Sequence, residues 1–121
     1  MNVDTSTRTP FGMPPYKKYV ALLTQSGSSA PTVVVLENTL GNIAWTRSGA
    51  GRYIGTLTGA FPANKTTVML TLGQDPILNA DVTSGASRVD ADIVRAVTND
   101  AGSLADSLLT DAAIEIRVYE S

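Results

Sequence analysis

The chain has 121 residues, no cysteine, no histidine and a formal net charge of −2, so it is long enough to bury one core and too short for two. Without those two residue types, disulfides, Ser-His-Asp and Cys-His activation, and cysteine-based zinc or iron–sulfur sites are excluded, and stability has to come from packing. Charged residues make up 17% of the chain and hydrophobic residues 43%; against a usual charged share of about 25%, this predicts that part of the surface is covered by another chain.

Residues 1–15 hold Pro10, Pro14 and Pro15 with isolated Phe11 and Met13. Proline disfavours ladder structure, so the segment reads as an extended N-terminal arm, with Phe11 and Met13 as candidate anchors on a neighbour. The opening Met1-Asn2-Val3-Asp4 has no basic stretch followed by an apolar one, so no secretory signal is expected and synthesis is expected in a cytoplasm. Residues 16–121 then form a single domain.

Tyr16–Thr24 is the first expected strand, closed by Ser26-Gly27-Ser28-Ser29, and Pro31 opens a second over Thr32–Glu37. Both carry apolar residues on each alternate face, which predicts burial on two sides; a partner subunit would cover the second side. Val20, Leu22, Val33 and Val35 are therefore the candidate oligomer-interface residues. Asn42–Arg47 and Arg52–Thr58 flank Ser48-Gly49-Ala50-Gly51, the pattern of a β-hairpin, with Ile43, Trp45, Tyr53 and Leu57 directed at the core. Thr66–Leu72 alternates Val68, Leu70 and Leu72 with Thr67, Met69 and Thr71, as a half-buried strand does.

From Gly73 to Ser87 small and polar residues predominate, so a long loop is expected, with a short strand near Ile77–Leu78. Arg88–Thr98 reads as a strand with Val89, Ala91, Ile93 and Val97 inward and Asp90 and Asp92 outward; Arg95 then falls inward without explanation. Ser103 and Asp106 have the spacing of an acidic capping box ahead of Leu108 and Leu109, which predicts one short helical turn. Ala112–Tyr119 closes the chain with Ile114, Ile116 and Val118 on one face. About seven short strands with turn signals between them define an all-β fold, an antiparallel β-sandwich or jelly-roll-like domain.

Few residues invite chemistry. Asp90 and Asp92 would place two carboxylates on one solvent face, where glycoside hydrolysis or a calcium site could begin; a solvated strand face is the favoured reading, because exposed acids are the norm there. Asp100, Asp106 and Asp111 form a looser acidic set without EF-hand spacing. Trp45 would be a sugar platform only if it faced outward, and its alternation with Ile43 puts it in the core. The glycines at 49, 51, 55 and 59 are followed by no lysine at phosphate-loop spacing. No catalytic, cofactor or metal residue is assigned, and the chain is expected to be non-enzymatic. Basic residues are scattered apart from Lys17-Lys18, so nucleic acid is not an expected partner. The apolar runs Val20–Leu23 and Val33–Leu36 fall far short of the roughly 20 residues that span a bilayer, so no membrane is expected either.

The stretches Val35–Arg47, Gly51–Phe61 with Asn64-Lys65-Thr66, Ile114–Tyr119 and the opening Tyr16–Gly27 resemble a small domain of tailed-bacteriophage structural proteins. The resemblance covers roughly residues 16–119 and is poorest across Gly73–Ser87. It implies a virion component assembled in the host cytoplasm: a capsid decoration, head-fibre or tail-associated protein, a homo-oligomer with the trimer favoured, in contact with other virion proteins. The alternative from another class is a carbohydrate- or receptor-binding module that uses exposed aromatics such as Tyr16, Tyr53 or Tyr119.

Overall fold

The computed structural model describes residues 15–72 and 81–120. Phe11, Met13 and the expected strand at Ile77–Leu78 lie outside the described residues. Nine strands follow in order: β1 (Tyr16–Thr24), β2 (Thr32–Asn38), β3 (Ala44–Gly49), β4 (Arg52–Thr56), β5 (Thr66–Thr71), β6 (Val82–Arg88), β7 (Ile93–Asp100), β8 (Ser103–Leu104) and β9 (Ala112–Tyr119). They form two antiparallel sheets, in the orders β2-β1-β9-β5 and β3-β4-β7-β6, with the short β8 beside β7. The sheets pack on each other as a β-sandwich.

Alternation along the strands dictates this packing. Tyr19, Ala21 and Leu23 of β1 and Ile114, Ile116 and Val118 of β9 face Trp45 and Tyr53 of the β3–β4 hairpin and Val94 and Ala96 of β7, all buried. Ile43, Phe61 and Leu109 enter the same cluster from connecting segments. Each fully buried large side chain contributes about 1.5–3 kcal/mol relative to exposure. Trp45 lies across Gly55, where a Cβ would come within 2.9 Å of the indole and of Ile43; bare backbone at that point lets the ring lie flat under β4. The Trp45 indole N–H donates to the Tyr19 hydroxyl at 3.2 Å, so the one polar atom of the ring is satisfied.

Three expectations are corrected. The segment expected as a loop contains β6, paired with β7 from Val82↔Asp100 to Arg88↔Val94. Its residues, Val-Thr-Ser-Gly-Ala-Ser-Arg, have no apolar alternation, and β7's ladder hydrogen bonds hold it instead. The expected strand over Arg88–Thr98 begins only at Ile93, and its phase is inverted: Val94, Ala96 and Thr98 are buried while Arg95 is exposed. Val89, which set the expected phase, belongs to the β6–β7 turn, and a shift by one residue moves every side chain to the other face. The inversion removes the anomaly of an inward arginine. Finally, no helical turn forms at Ser103–Asp106. Ala101 and Gly102 both have positive φ, 53° and 86°, and they reverse the chain so that β8 pairs with the end of β7.

Candidate functional site

The candidate interface residues divide between two faces of one edge. By register with β1, Val34 lies opposite Leu22 and Glu37 opposite Val20, while Val33 and Val35 lie opposite the buried Leu23 and Ala21. Val20, Leu22 and Val34 therefore belong to the outer face of the first sheet, and Val33 and Val35 to its inner face. Inner position does not bury them: Val33 is 38% and Val35 44% exposed, and Val34 and Leu36 are each 59% exposed. The second sheet explains this. Its outermost strand, β3, meets β1 through the Trp45–Tyr19 contact, whereas β2 packs chiefly against β1 alone, and on the opposite side of the sandwich β5 packs against β6. β2 thus overhangs as an edge strand with four consecutive aliphatic residues open to solvent on both faces.

Edge strands are normally protected by charge, proline or a bulge, because their free N–H and C=O groups template pairing with another chain. In β2 the bulge at Val20/Ala21 makes Leu36 the additional residue. The strand's one charge, Glu37, sits at its end and pairs with Lys18 at 3.2 Å. Apart from that bulge, the middle of the strand carries neither charge nor proline. Val20 and Leu22, half-buried on the adjoining strand, extend the same apolar patch across the outer face.

At one end of the sandwich lies a polar junction that the sequence did not announce. Arg47 holds Asp106 bidentately, Nε to Oδ1 at 3.1 Å and Nη2 to Oδ2 at 2.7 Å. The backbone N–H of Gly51 donates to Asp106 Oδ1 at 3.0 Å. The Tyr53 hydroxyl lies 2.9 Å from Asp106 Oδ1 and 2.8 Å from Gln25 Oε1. Gln25 Oε1 also accepts from the Ser107 N–H at 2.8 Å, while its Nε2 donates to the carbonyls of Gly27 and Ser29, which fixes the amide orientation. The Arg47 guanidinium holds the Asp106 carboxyl well below the usual carboxylate range. Burial, followed by the bond to Asp106, pushes the Tyr53 phenol up to about 12. Both groups are thus driven away from neutrality, whereas proton transfer at pH 7 favours a group titrating near it. The junction pins the β8–β9 connection across the ends of both sheets.

Tyr53→Phe is expected to lose about 1–2 kcal/mol at pH 7, since it removes one buried donor. Because the folded-state value is raised, the phenol's contribution is complete below the ordinary value of 10 and is lost as pH rises from there to about 12. Denaturant titrations at pH 9 and above should therefore show a shallower alkaline loss in the phenylalanine variant, leaving the share of the buried Tyr19, whose phenol burial also raises.

Asp90 and Asp92 are not paired acids on a strand. They stand in the β6–β7 turn, where Asp90 Oδ1 accepts from the Asp92 N–H at 2.8 Å and Asp92 Oδ1 from the Gly59 N–H at 2.7 Å; both hold loops together. Among the described residues no group of three or more His, Cys, Asp or Glu side chains is placed to hold a metal, and no helix is long and apolar enough to cross a membrane. Of the aromatics named for recognition, Tyr53 is fully buried and drops out. Tyr16 and Tyr119 come together, ring centres 5.0 Å apart, with the Arg117 guanidinium 4.8 Å from the Tyr16 centre. Beside them a groove of about 630 Å3 is lined by Lys17, Leu40, Leu57, Lys65, Tyr119 and Glu120, among others. Comparison of the chain with protein-family models, with curated proteins and with solved structures returns no match.

Proposed function

We propose that this protein is a non-catalytic, self-associating component of a bacteriophage virion, a capsid decoration, head-fibre or tail-associated protein, in which β2 is the contact between copies. The observation that carries the self-association is the run Val33–Leu36, uncharged and exposed on both faces of an edge strand. A strand of this kind is stable in solution when another chain satisfies its backbone and covers its side chains. A homotrimer built this way would use Val33 and Val35 from one side of the edge and Val20, Leu22 and Val34 from the other. The virion setting rests on the resemblance of residues 16–119 to phage structural domains.

Light scattering coupled to gel filtration tests the association. Full-length protein is expected to elute as a closed oligomer, and the double variant Val34→Lys, Leu36→Lys as a monomer with an unchanged folded spectrum, because both side chains are exposed within one copy. A monomeric parent protein at tens of micromolar contradicts the reading.

The second reading, a glycan- or receptor-binding module, is favoured by the Tyr16–Tyr119 pair beside the groove, since paired rings with a polar rim suit a sugar face. Glycan-array binding that disappears in Tyr16→Ala and Tyr119→Ala would establish it; a silent array would remove it.

A further inference from the structure

The two outer faces of the sandwich differ in how their charges are managed. On the first sheet Lys18 pairs with Glu37 and Arg117 with Glu115. On the second, the register places Arg52 opposite Val97 and Arg95 opposite Ile54 on the outer face, with Ser87 and Gly85 of β6 opposite Arg95 and Val97. Both arginines are exposed, and among the described residues neither makes an ion pair or side-chain hydrogen bond. The strands of this sheet offer no acid to pair them: β3, β4 and β6 contain none, and β7 has only Asp100, at its last position and in the inward register. Among the described residues, a chain of net charge −2 thus presents two unpaired guanidiniums on a strand face that carries no carboxylate.

The register makes these arginines diagonal neighbours, about 7–8 Å apart at the backbone. Beside Arg95 a hollow of about 230 Å3 is lined by Gly85, Ala86, Ser87, Arg95 and Val97. Its openness is not demanded by the fold. Gly85 does not have positive φ, and a Cβ there would meet only a Val97 methyl at 3.8 Å, an ordinary contact. Glycine inside a strand weakens it, and one reason to keep it is the close approach of another molecule.

We propose that this face docks an acidic segment of a partner protein, with an Asp or Glu carboxylate held by Arg95 and the Ser87 hydroxyl in the hollow and a second carboxylate by Arg52. Arginine is suited to this, because its planar fork meets a carboxylate bidentately and stays charged at any physiological pH. Charge complementarity selects the acid. The surroundings select a protein: half-buried Ile54, Ile93 and Val97 flank the arginines, the mixture of apolar area and arginine found at protein interfaces. β3, β4, β6 and β7 put no aromatic side chain on this face to stack a base or a sugar.

The test uses the isotope-labelled full chain titrated at low salt with three probes: a hexaglutamate peptide, inorganic phosphate and glucuronic acid. Hexaglutamate is expected to shift amide signals of β4, β6 and β7 around Arg52, Ser87 and Arg95, to bind at least ten-fold more weakly to Arg52→Ala, Arg95→Ala, and to lose binding in Gly85→Val. The valine variant is expected to melt no lower than the parent, since a β-branched residue suits the strand and fills the hollow. Shifts confined to other surfaces, equal affinity in the arginine double variant, or tighter binding of phosphate or glucuronic acid than of the peptide would overturn the proposal.

Discussion

Asp106→Ala is expected to lower the melting temperature by about 10 °C or more, because one carboxylate is the acceptor for three separate elements and its loss leaves the Arg47 fork and the Gly51 N–H unmatched, with only Gln25 left to the Tyr53 hydroxyl. The Arg47 fork, the Gly51 N–H and the Tyr53 hydroxyl converge on it from β3, the β3–β4 turn and β4. Its pH dependence has a definite sign. The folded-state value lies below the ordinary 3.8, chiefly through the bond to Arg47. The stabilisation is therefore complete above that value and is lost as pH falls through the lowered one. Asp106→Asn keeps the shape and removes the charge, so it should flatten the acid limb of the stability–pH curve between pH 4 and 2 more than it changes the packing. Thermal melts across that range check both statements; an asparagine variant with the parent's acid limb would contradict them.

Gly51→Ala is expected to destabilise by about 3 kcal/mol or more, through two effects that add at one residue. Gly51 has φ 66°, a conformation that L side chains rarely adopt. An added Cβ would fall 2.5 Å from the Thr98 carbonyl oxygen and 2.7 Å from the Ala105 N, and both are backbone atoms of the junction that cannot swing aside. The neighbouring Gly49 is the internal control. It lacks positive φ, and a Cβ there meets nothing within 4 Å, so Gly49→Ala should be neutral or slightly stabilising. Urea unfolding of the two variants separates them, and equal midpoints would contradict both effects.

Apolar alternation was legible in most of the strands that face the core on one side. β1 and β9 fall on the residues expected, and Ile43, Trp45, Tyr53 and Leu57 all turn inward as the hairpin pattern required. Strands without that signal were not legible. β6 is built of small polar residues and exists because β7 offers it a ladder, a long-range condition that no local pattern carries. β7 was misphased because Val89 continues the apolar period into what is a turn. The polar junction was hidden for a related reason: Gln25, Arg47, Tyr53 and Asp106 are up to 81 positions apart in the chain (106 − 25) and are joined only when the two sheets stack. The one advance signal was Tyr53 itself, since a tyrosine directed at the core needs an acceptor for its hydroxyl. The candidate interface was half legible. Two-faced apolar strands were read as doubly covered, and the fold leaves one of them, β2, uncovered on both faces.

The claim that β2 joins copies of this chain is tested most directly by amide hydrogen exchange of the full-length protein at several concentrations. The account predicts that the amides of Val33–Leu36 become strongly protected as concentration rises and exchange freely on dilution, while those of β9, in the middle of its sheet, stay protected throughout. Exchange from Val33–Leu36 that is rapid and independent of concentration, in a sample whose core remains protected, would contradict it.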